Sequence, residues 1–284
     1  MLFSNTILLF LFLYILFIKI QLFNTNMNKN FVIAGPCIIE TEEIAFIIAE
    51  KLLQLSKILN IEIIYKASYK KDNRTSVISF SGIGDNEAIN ILRNIKNKFG
   101  FKITTDVHSS EEVNKIADFI DIIQIPAFMC RQTSLILAAA ETNKIVNIKK
   151  GQWLDPDSTK HIVEKVRTKS SNEVWLTERG SYFGYNRLIV DFTSIPVMKK
   201  YADKVIMDCT HSVQVPSTDT QTGGNPEFVG LMAKNGLVSG ADGLFFEVHP
   251  NPKMSKSDSN TIFDLEKFPQ LLKSTIELAN FLQK

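Results

Sequence analysis

Cysteine is scarce in this 284-residue chain: Cys37, Cys130 and Cys209 stand far apart, odd in number and without a Cys-x-x-Cys pair. That pattern argues against a disulfide framework and a cysteine-only zinc site, and it fits a reducing cytoplasm. Charge of one sign is equally lacking. The 32 basic residues meet 30 acidic ones, for a net charge of +2. Such a balance calls for neither nucleic acid nor an anionic membrane as partner. After Met27 there is no low-complexity linker and no shift in composition, so residues 27–284 read as one domain.

The first 26 residues, "MLFSNTILLFLFLYILFIKIQLFNTN", differ from everything after them. Their unbroken apolar run, Ile7 to Ile18, is shorter than the roughly 20 residues of a membrane span. They also lack the basic start and small-residue cleavage site of a signal peptide. Three readings stay open: a translated upstream stretch with Met27 as the true start, a targeting or anchor segment, or a hydrophobic helix. A membrane enters only with the second. "MNKNFVIAGP" reads as a natural start running into a first strand, so residues 1–26 are expected to lie outside the fold.

What is present is a series of short, β-branched apolar runs. They are "FVIAG" (31–35), "IEIIYK" (61–66), "FKITTDV" (101–107), "DIIQIP" (121–126), "KIVNIKK" (144–150), "EVWLTERG" (173–180), "KVIMDCT" (204–210) and "GLFFEVH" (243–249). Most are continuously apolar, as strands covered on both faces of a parallel sheet are. Helix-length segments with apolar spacing near 3.6 lie between them, such as 41–59, with Thr41 placed to cap it and acids in its first turn, and 86–99. A last helix is expected in 264–284, with Pro269 near its first turns or at a kink. Eight βα repeats without a break predict an α/β protein, a single-domain (β/α)8 TIM barrel.

In such a barrel the chemistry sits at the C-terminal ends of the strands. The candidate strands end in Cys37, Lys66, Asp106, Gln124, Lys149, Arg179, His211 and Glu247. Any one of these has a structural explanation; eight polar or reactive ends on one mouth argue for function. Cys37, His211, Glu247 and, eleven residues on, Asp258 are metal-ligand types suited to Zn2+ or Fe2+, or to Mn2+ with less thiolate preference. Spacing alone makes that a weak signal. Lys66, Lys149 and Arg179, with Lys71 and Arg74 from the loop "YKASYKKDNRTS", form a cationic set. Gathered in one mouth, these cations repel one another unless anionic ligands compensate them.

The stretches "IAGPCIIE", "YKASYKKDNRTS", "KITTDVH", "DIIQIPAFMCRQT", "NIKKGQW", "LTERGSYFGYN", "DCTHSVQ" and "DGLFFEVHPNP" resemble, in order, the 3-deoxy-D-manno-octulosonate 8-phosphate synthase family. The resemblance implies a (β/α)8 barrel, usually tetrameric, that condenses phosphoenolpyruvate with arabinose 5-phosphate toward the lipopolysaccharide sugar. By it, Lys66, Lys149 and Arg179 resemble a phosphoenolpyruvate clamp, with Ser68, Gln124 and Ala127 nearby. Asn73, Arg74 and Thr75 resemble the grip on the sugar phosphate, and Arg131 an arginine that reaches a neighbouring subunit's site. Cys37 with His211, Glu247 and Asp258 resembles the metal-dependent branch, which has Cys where the metal-independent branch has Asn. His211 and Asp106 are the candidates for proton handling.

The chain departs from the family pattern at Thr75, Lys70, Ser109–Ser110 and Pro226. Two rivals remain. One is the related synthase that uses erythrose 4-phosphate, whose loop typically reads Lys-Pro-Arg-Thr-Ser where this chain has "KDNRTS". The other is a non-catalytic phosphosugar-binding barrel, which would be expected to have lost clamp lysines or ligands.

Overall fold

The computed structural model describes residues 31–74, 76–182, 185–215 and 223–282. The expected leader, residues 27–30 and Thr75 lie outside them. Eight parallel strands form one closed sheet: β1 (Phe31–Gly35), β2 (Glu62–Lys66), β3 (Ile103–Asp106), β4 (Ile122–Ile125), β5 (Ile145–Lys149), β6 (Val174–Glu178), β7 (Lys204–Asp208) and β8 (Gly243–His249). Pairing of β1 with β8, Phe31 opposite Gly243 and Gly35 opposite Glu247, closes the barrel. All eight apolar runs are barrel strands.

Alternation within each strand sorts side chains into two layers. In β1, Phe31 and Ile33 point inward and pack with Ile64, Ile122, Trp175, Ile206 and Phe245. Val32 and Ala34 point outward, into the larger core shared with the helices. Those helices are α1 (Glu42–Leu59), α2 (Asp85–Phe99), α3 (Ser110–Ile116), α4 (Thr133–Glu141), α5 (Thr159–Arg167), α6 (Ser194–Met198), α7 (Val229–Val238) and α8 (Phe268–Leu282). Thr41 caps α1 by accepting from Ile44 N at 3.2 Å, as its position predicts. Pro269 falls in the first turn of α8, where its missing N–H breaks no helical bond. Among the described residues no helix is long and apolar enough to cross a membrane.

Gly35 shows how tightly the first two strands meet above the core. A Cβ there would lie 1.9 Å from the Lys66 carbonyl oxygen, so no larger residue fits beside β2. Three expected strand ends are corrected. Cys37 lies two residues past β1, Arg179 one past β6, and His211 opens a 3-10 turn three residues past β7. Gln124 and Glu247 sit within their strands, deeper in the barrel.

Candidate active site

Above the apolar plug the barrel interior turns polar. Lys66, fully buried, donates to Glu247 Oε1 at 2.8 Å, to the Cys37 carbonyl at 3.2 Å and to Ser68 Oγ at 3.2 Å. Burial opposes its charge, but Asp106 and Glu247 outweigh burial and hold its pKa above the ordinary lysine value. Asp106 accepts from Ser68 Oγ and Gln124 Nε2 and lies 3.3 Å from Lys71 Nζ. Burial would raise its pKa; the surrounding Lys66, Lys71 and Lys149 overcome that and keep it well below the carboxylate range.

Behind Asp106 runs a ladder of fixed direction. Thr177 Oγ1 donates to Asn147 Oδ1 at 2.7 Å, Asn147 Nδ2 to Gln124 Oε1 at 3.3 Å, and Gln124 Nε2 to Asp106. Every donor faces the Asp106 carboxylate. Gln124 therefore lies beneath the mouth, with both ends of its amide engaged.

Lys149 donates to Asp208 Oδ2 at 2.7 Å and sits 3.8 Å over the Phe245 ring. Burial pulls its pKa below the usual lysine value, against the attraction of Asp208. His211 Nδ1 lies 2.8 Å from the same Asp208 oxygen, and the backbone N–H groups of Thr210 and His211 donate to its other one. Asp208 is an acceptor throughout, so Nδ1 carries the hydrogen and Nε2 is left facing Glu247 Oε2 at 3.5 Å.

Cys37 Sγ, a Glu247 oxygen and an Asp258 oxygen lie within 4.8 Å of one another, a grouping that could hold a metal ion. His211, expected as a fourth ligand, stands at its edge. Glu247 Oε2 is buried without a hydrogen-bond partner among the described residues, the signature of a missing cation or donor. Thiol, imidazole and two carboxylates suit a borderline divalent ion, so the residues present fit one. As the structure stands, the Cys37 thiol donates to Asp258 Oδ2 at 3.0 Å, and burial first, then Glu247, pushes its pKa well up. Burial would raise the Asp258 pKa, but His211 and Lys71 hold it low.

Asp258 reaches the mouth on the loop leaving β8, with its φ at +50°. Glu40 anchors that loop, accepting from Lys256 N at 2.9 Å and Ser255 Oγ at 3.0 Å. Ser257 Oγ then touches Cys37 Sγ at 2.8 Å.

The basic loop brings Lys71 and the exposed Asn73 to the mouth. With Asp106, Ala127, Lys149, Arg179 and His211, they help line a cavity of about 70 Å³. Arg74 donates to the Phe80 carbonyl and lies 4.0 Å from Asp258, with Nη2 buried and without a partner among the described residues. Arg179 donates to Gln214 at 2.6 Å, and its Nη1 is likewise buried without a partner among the described residues. Arg131 is exposed and does not line this cavity. A larger apolar pocket of about 340 Å³ opens among Phe192, Phe228 and Leu231 and is lined by none of the cations of the mouth.

Three departures from the family pattern have local explanations. Ser109 caps α3 by accepting from Glu112 N, and Lys70 pairs with the buried Glu112 at 3.2 Å, away from the mouth cations. Pro226 opens a short 3-10 turn, where proline suits the first position.

A family model described as the DAHP synthetase I family matches residues 17–284. The chain belongs to this family. The 2-dehydro-3-deoxyphosphooctonate aldolase of Koribacter versatilis is 44% identical over 254 residues, covering 88% of this chain and 91% of that protein. The protein of that name from a Geobacter species is 44% identical over 242 residues, covering 85% and 89%. Its namesake from Campylobacter jejuni subsp. doylei is 41% identical over 268 residues, covering 90% and 100%. That name is a synonym of the synthase that the sequence motifs resemble. In this member of the DAHP synthetase I family, reasoning from sequence missed Asp208, Gln214, Glu40 and Ser257. Only Asp208 left a usable signal, as an acid at the end of an otherwise apolar strand.

Proposed function

We propose that the chain condenses phosphoenolpyruvate with D-arabinose 5-phosphate and water, giving 3-deoxy-D-manno-octulosonate 8-phosphate and phosphate. The observation that carries this reading is a pair of buried guanidinium nitrogens, Arg179 Nη1 and Arg74 Nη2, both without a partner among the described residues at one barrel mouth. Buried N–H donors without partners are costly, and two anionic substrates would satisfy both. The shared name of the curated relatives favours arabinose 5-phosphate over erythrose 4-phosphate.

Lys66, Lys149 and Arg179, with Ser68, Gln124 and Ala127 around them, form the phosphoenolpyruvate wall. Asn73, Arg74 and Thr75 take the sugar phosphate, and Lys71 stands between the two groups. The main task is to hold two polyanions together against their repulsion, which fixed cations in a closed mouth perform without reorganising. The enol carbon of phosphoenolpyruvate attacks the aldehyde carbon while water adds at the second carbon. Phosphate then leaves from the hemiketal with its bridging oxygen, so a C–O bond breaks. Asp106, ionised by its lysines, is a weak base that fixes their positions. His211, with Nδ1 tied to Asp208, offers Nε2 to a cation or a proton. A divalent ion, Zn2+, Fe2+ or Mn2+, held by Cys37, His211, Glu247 and Asp258, supplies Lewis-acid or templating chemistry at the aldehyde when bound.

Cytoplasmic residence and a homotetramer belong to the same reading, in which the exposed Arg131 serves a neighbour's site. Phosphate release measured with phosphoenolpyruvate and each aldose phosphate tests it. Turnover with arabinose 5-phosphate is expected; turnover with erythrose 4-phosphate alone replaces this reading with that of the rival synthase.

A further inference from the structure

Two charged side chains are sealed inside the protein but outside the mouth. Lys150 and Glu178 are each 1% exposed, and their charged atoms lie 3.5 Å apart. Burying such a pair costs desolvation that its attraction only partly offsets, and an apolar pair of like volume is often as stable. Stability alone gives no reason for it.

Its position does. Lys150 follows Lys149 at the end of β5, and Glu178 precedes Arg179 at the end of β6. These strands are neighbours, with Lys149 opposite Thr177 and Lys150 N donating to the Thr177 carbonyl at 2.8 Å. Successive residues point to opposite faces. Lys149 and Arg179 therefore enter the mouth, while Lys150 and Glu178 meet behind its wall.

Each partner also holds the loop beyond its own strand. Lys150 Nζ donates to the carbonyls of Gly151 and Leu154 and, at 3.0 Å, to Ser181 Oγ on the loop after Arg179. Glu178 accepts from Gly180 N and from Ser194 Oγ at the start of α6, both at 2.7 Å. Gly180 has φ +89°, in the left-handed region that glycine adopts freely, so the turn leaving Arg179 is fixed from both sides.

The geometry points to Lys150 and Glu178 as positioning residues: a buried brace that sets the span between Lys149 and Arg179 for phosphoenolpyruvate. This rests on the proposed function, which gives those two cations that substrate. The brace touches neither substrate. It acts on one wall of the mouth and leaves the Asn73–Arg74 loop alone.

The test is the double substitution Lys150→Met with Glu178→Gln, which leaves no lone buried charge, together with Glu178→Gln alone. In the single variant Lys150 keeps its three other acceptors, and circular dichroism checks that the fold is retained. Phosphoenolpyruvate is titrated by calorimetry, and KM is measured for both substrates. A clamp widened by a fraction of an ångström is expected to weaken phosphoenolpyruvate binding about tenfold or more. KM for arabinose 5-phosphate stays within about twofold, and Lys150→Arg, which keeps the charge, loses less phosphoenolpyruvate binding than the double variant. Unchanged phosphoenolpyruvate binding in either folded variant overturns the brace, as does an equal loss for both substrates. If the unsubstituted chain binds phosphoenolpyruvate without turning over arabinose 5-phosphate, the proposed function fails while the titration still decides the brace. If it binds no phosphoenolpyruvate, both fall.

Discussion

Lys66 Nζ donates to Glu247 Oε1 at 2.8 Å, joining residues 181 positions apart with both side chains sealed from solvent. The contact is a seam between two sets of groups. On one side stand the cations of the mouth, on the other the Cys37, Glu247 and Asp258 cluster. Glu247 can serve both because its oxygens are divided: Oε1 takes the lysine, and Oε2 is left for whatever occupies the cluster. In a low-dielectric interior neither charge is tolerable alone, so the two sets are expected to stand or fall together.

The first prediction separates the two anion pockets. Arg74→Ala should lower kcat/KM chiefly through arabinose 5-phosphate and Lys149→Ala chiefly through phosphoenolpyruvate, each by about 2 to 4 kcal/mol. Steady-state kinetics with each substrate varied in turn checks this. Equal effects of both substitutions on both substrates would undo the assignment.

A second prediction concerns the metal. Burial and Glu247 hold the Cys37 thiol protonated, so an ion bound as the thiolate complex must displace a proton. Affinity should then fall by about tenfold for each pH unit of acidification, per proton released. Competition against a chelating dye reads this directly. Cys37→Ala should bind metal poorly, and chelation should abolish activity that added divalent ion restores. Full activity in protein shown by elemental analysis to be metal-free would remove the ion from the account.

Glu112 provides a test of electrostatics away from the mouth. Burial would raise its pKa, but hydrogen bonds from the His108 ring and backbone, and then from Lys70, bring it from 4.5 down to about 2. A depressed carboxylate stabilises the fold above its unfolded pKa, and that stability is lost as pH falls through the folded value. Glu112→Gln should therefore cost about 2 to 3 kcal/mol near neutral pH. The gap should close as pH drops from the ordinary glutamate value toward about 2. Urea titrations of both proteins across that range measure it, and a gap independent of pH would show that packing, not charge, is lost.

Most of the barrel could be read from the sequence, because a strand buried on both faces is a continuous apolar run. The bounds overshot where polar residues extend such runs: "FKITTDV" spans seven residues, whereas β3 is Ile103–Asp106. The cations of the mouth were legible for the same reason in reverse, as charges that interrupt apolar strands. Asp208 was not. Its partners Lys149 and His211 lie 59 residues before it and three after it, and only closure of the barrel shows that one carboxylate orients both. Glu40 and Ser257 were hidden more deeply. An acid and a hydroxyl in loops 215 or more residues from what they hold carry no periodicity to detect.

The most direct test of the central claim uses phosphoenolpyruvate carrying heavy oxygen in its bridging C–O–P position. It is mixed with arabinose 5-phosphate and the metal-loaded chain, and both products are weighed by mass spectrometry. The expected products are an eight-carbon sugar acid phosphate of unlabelled mass and inorganic phosphate that carries the heavy oxygen, because the C–O bond breaks and water supplies the new carbonyl oxygen. Heavy oxygen retained in the sugar acid, or no eight-carbon product at all, would contradict it.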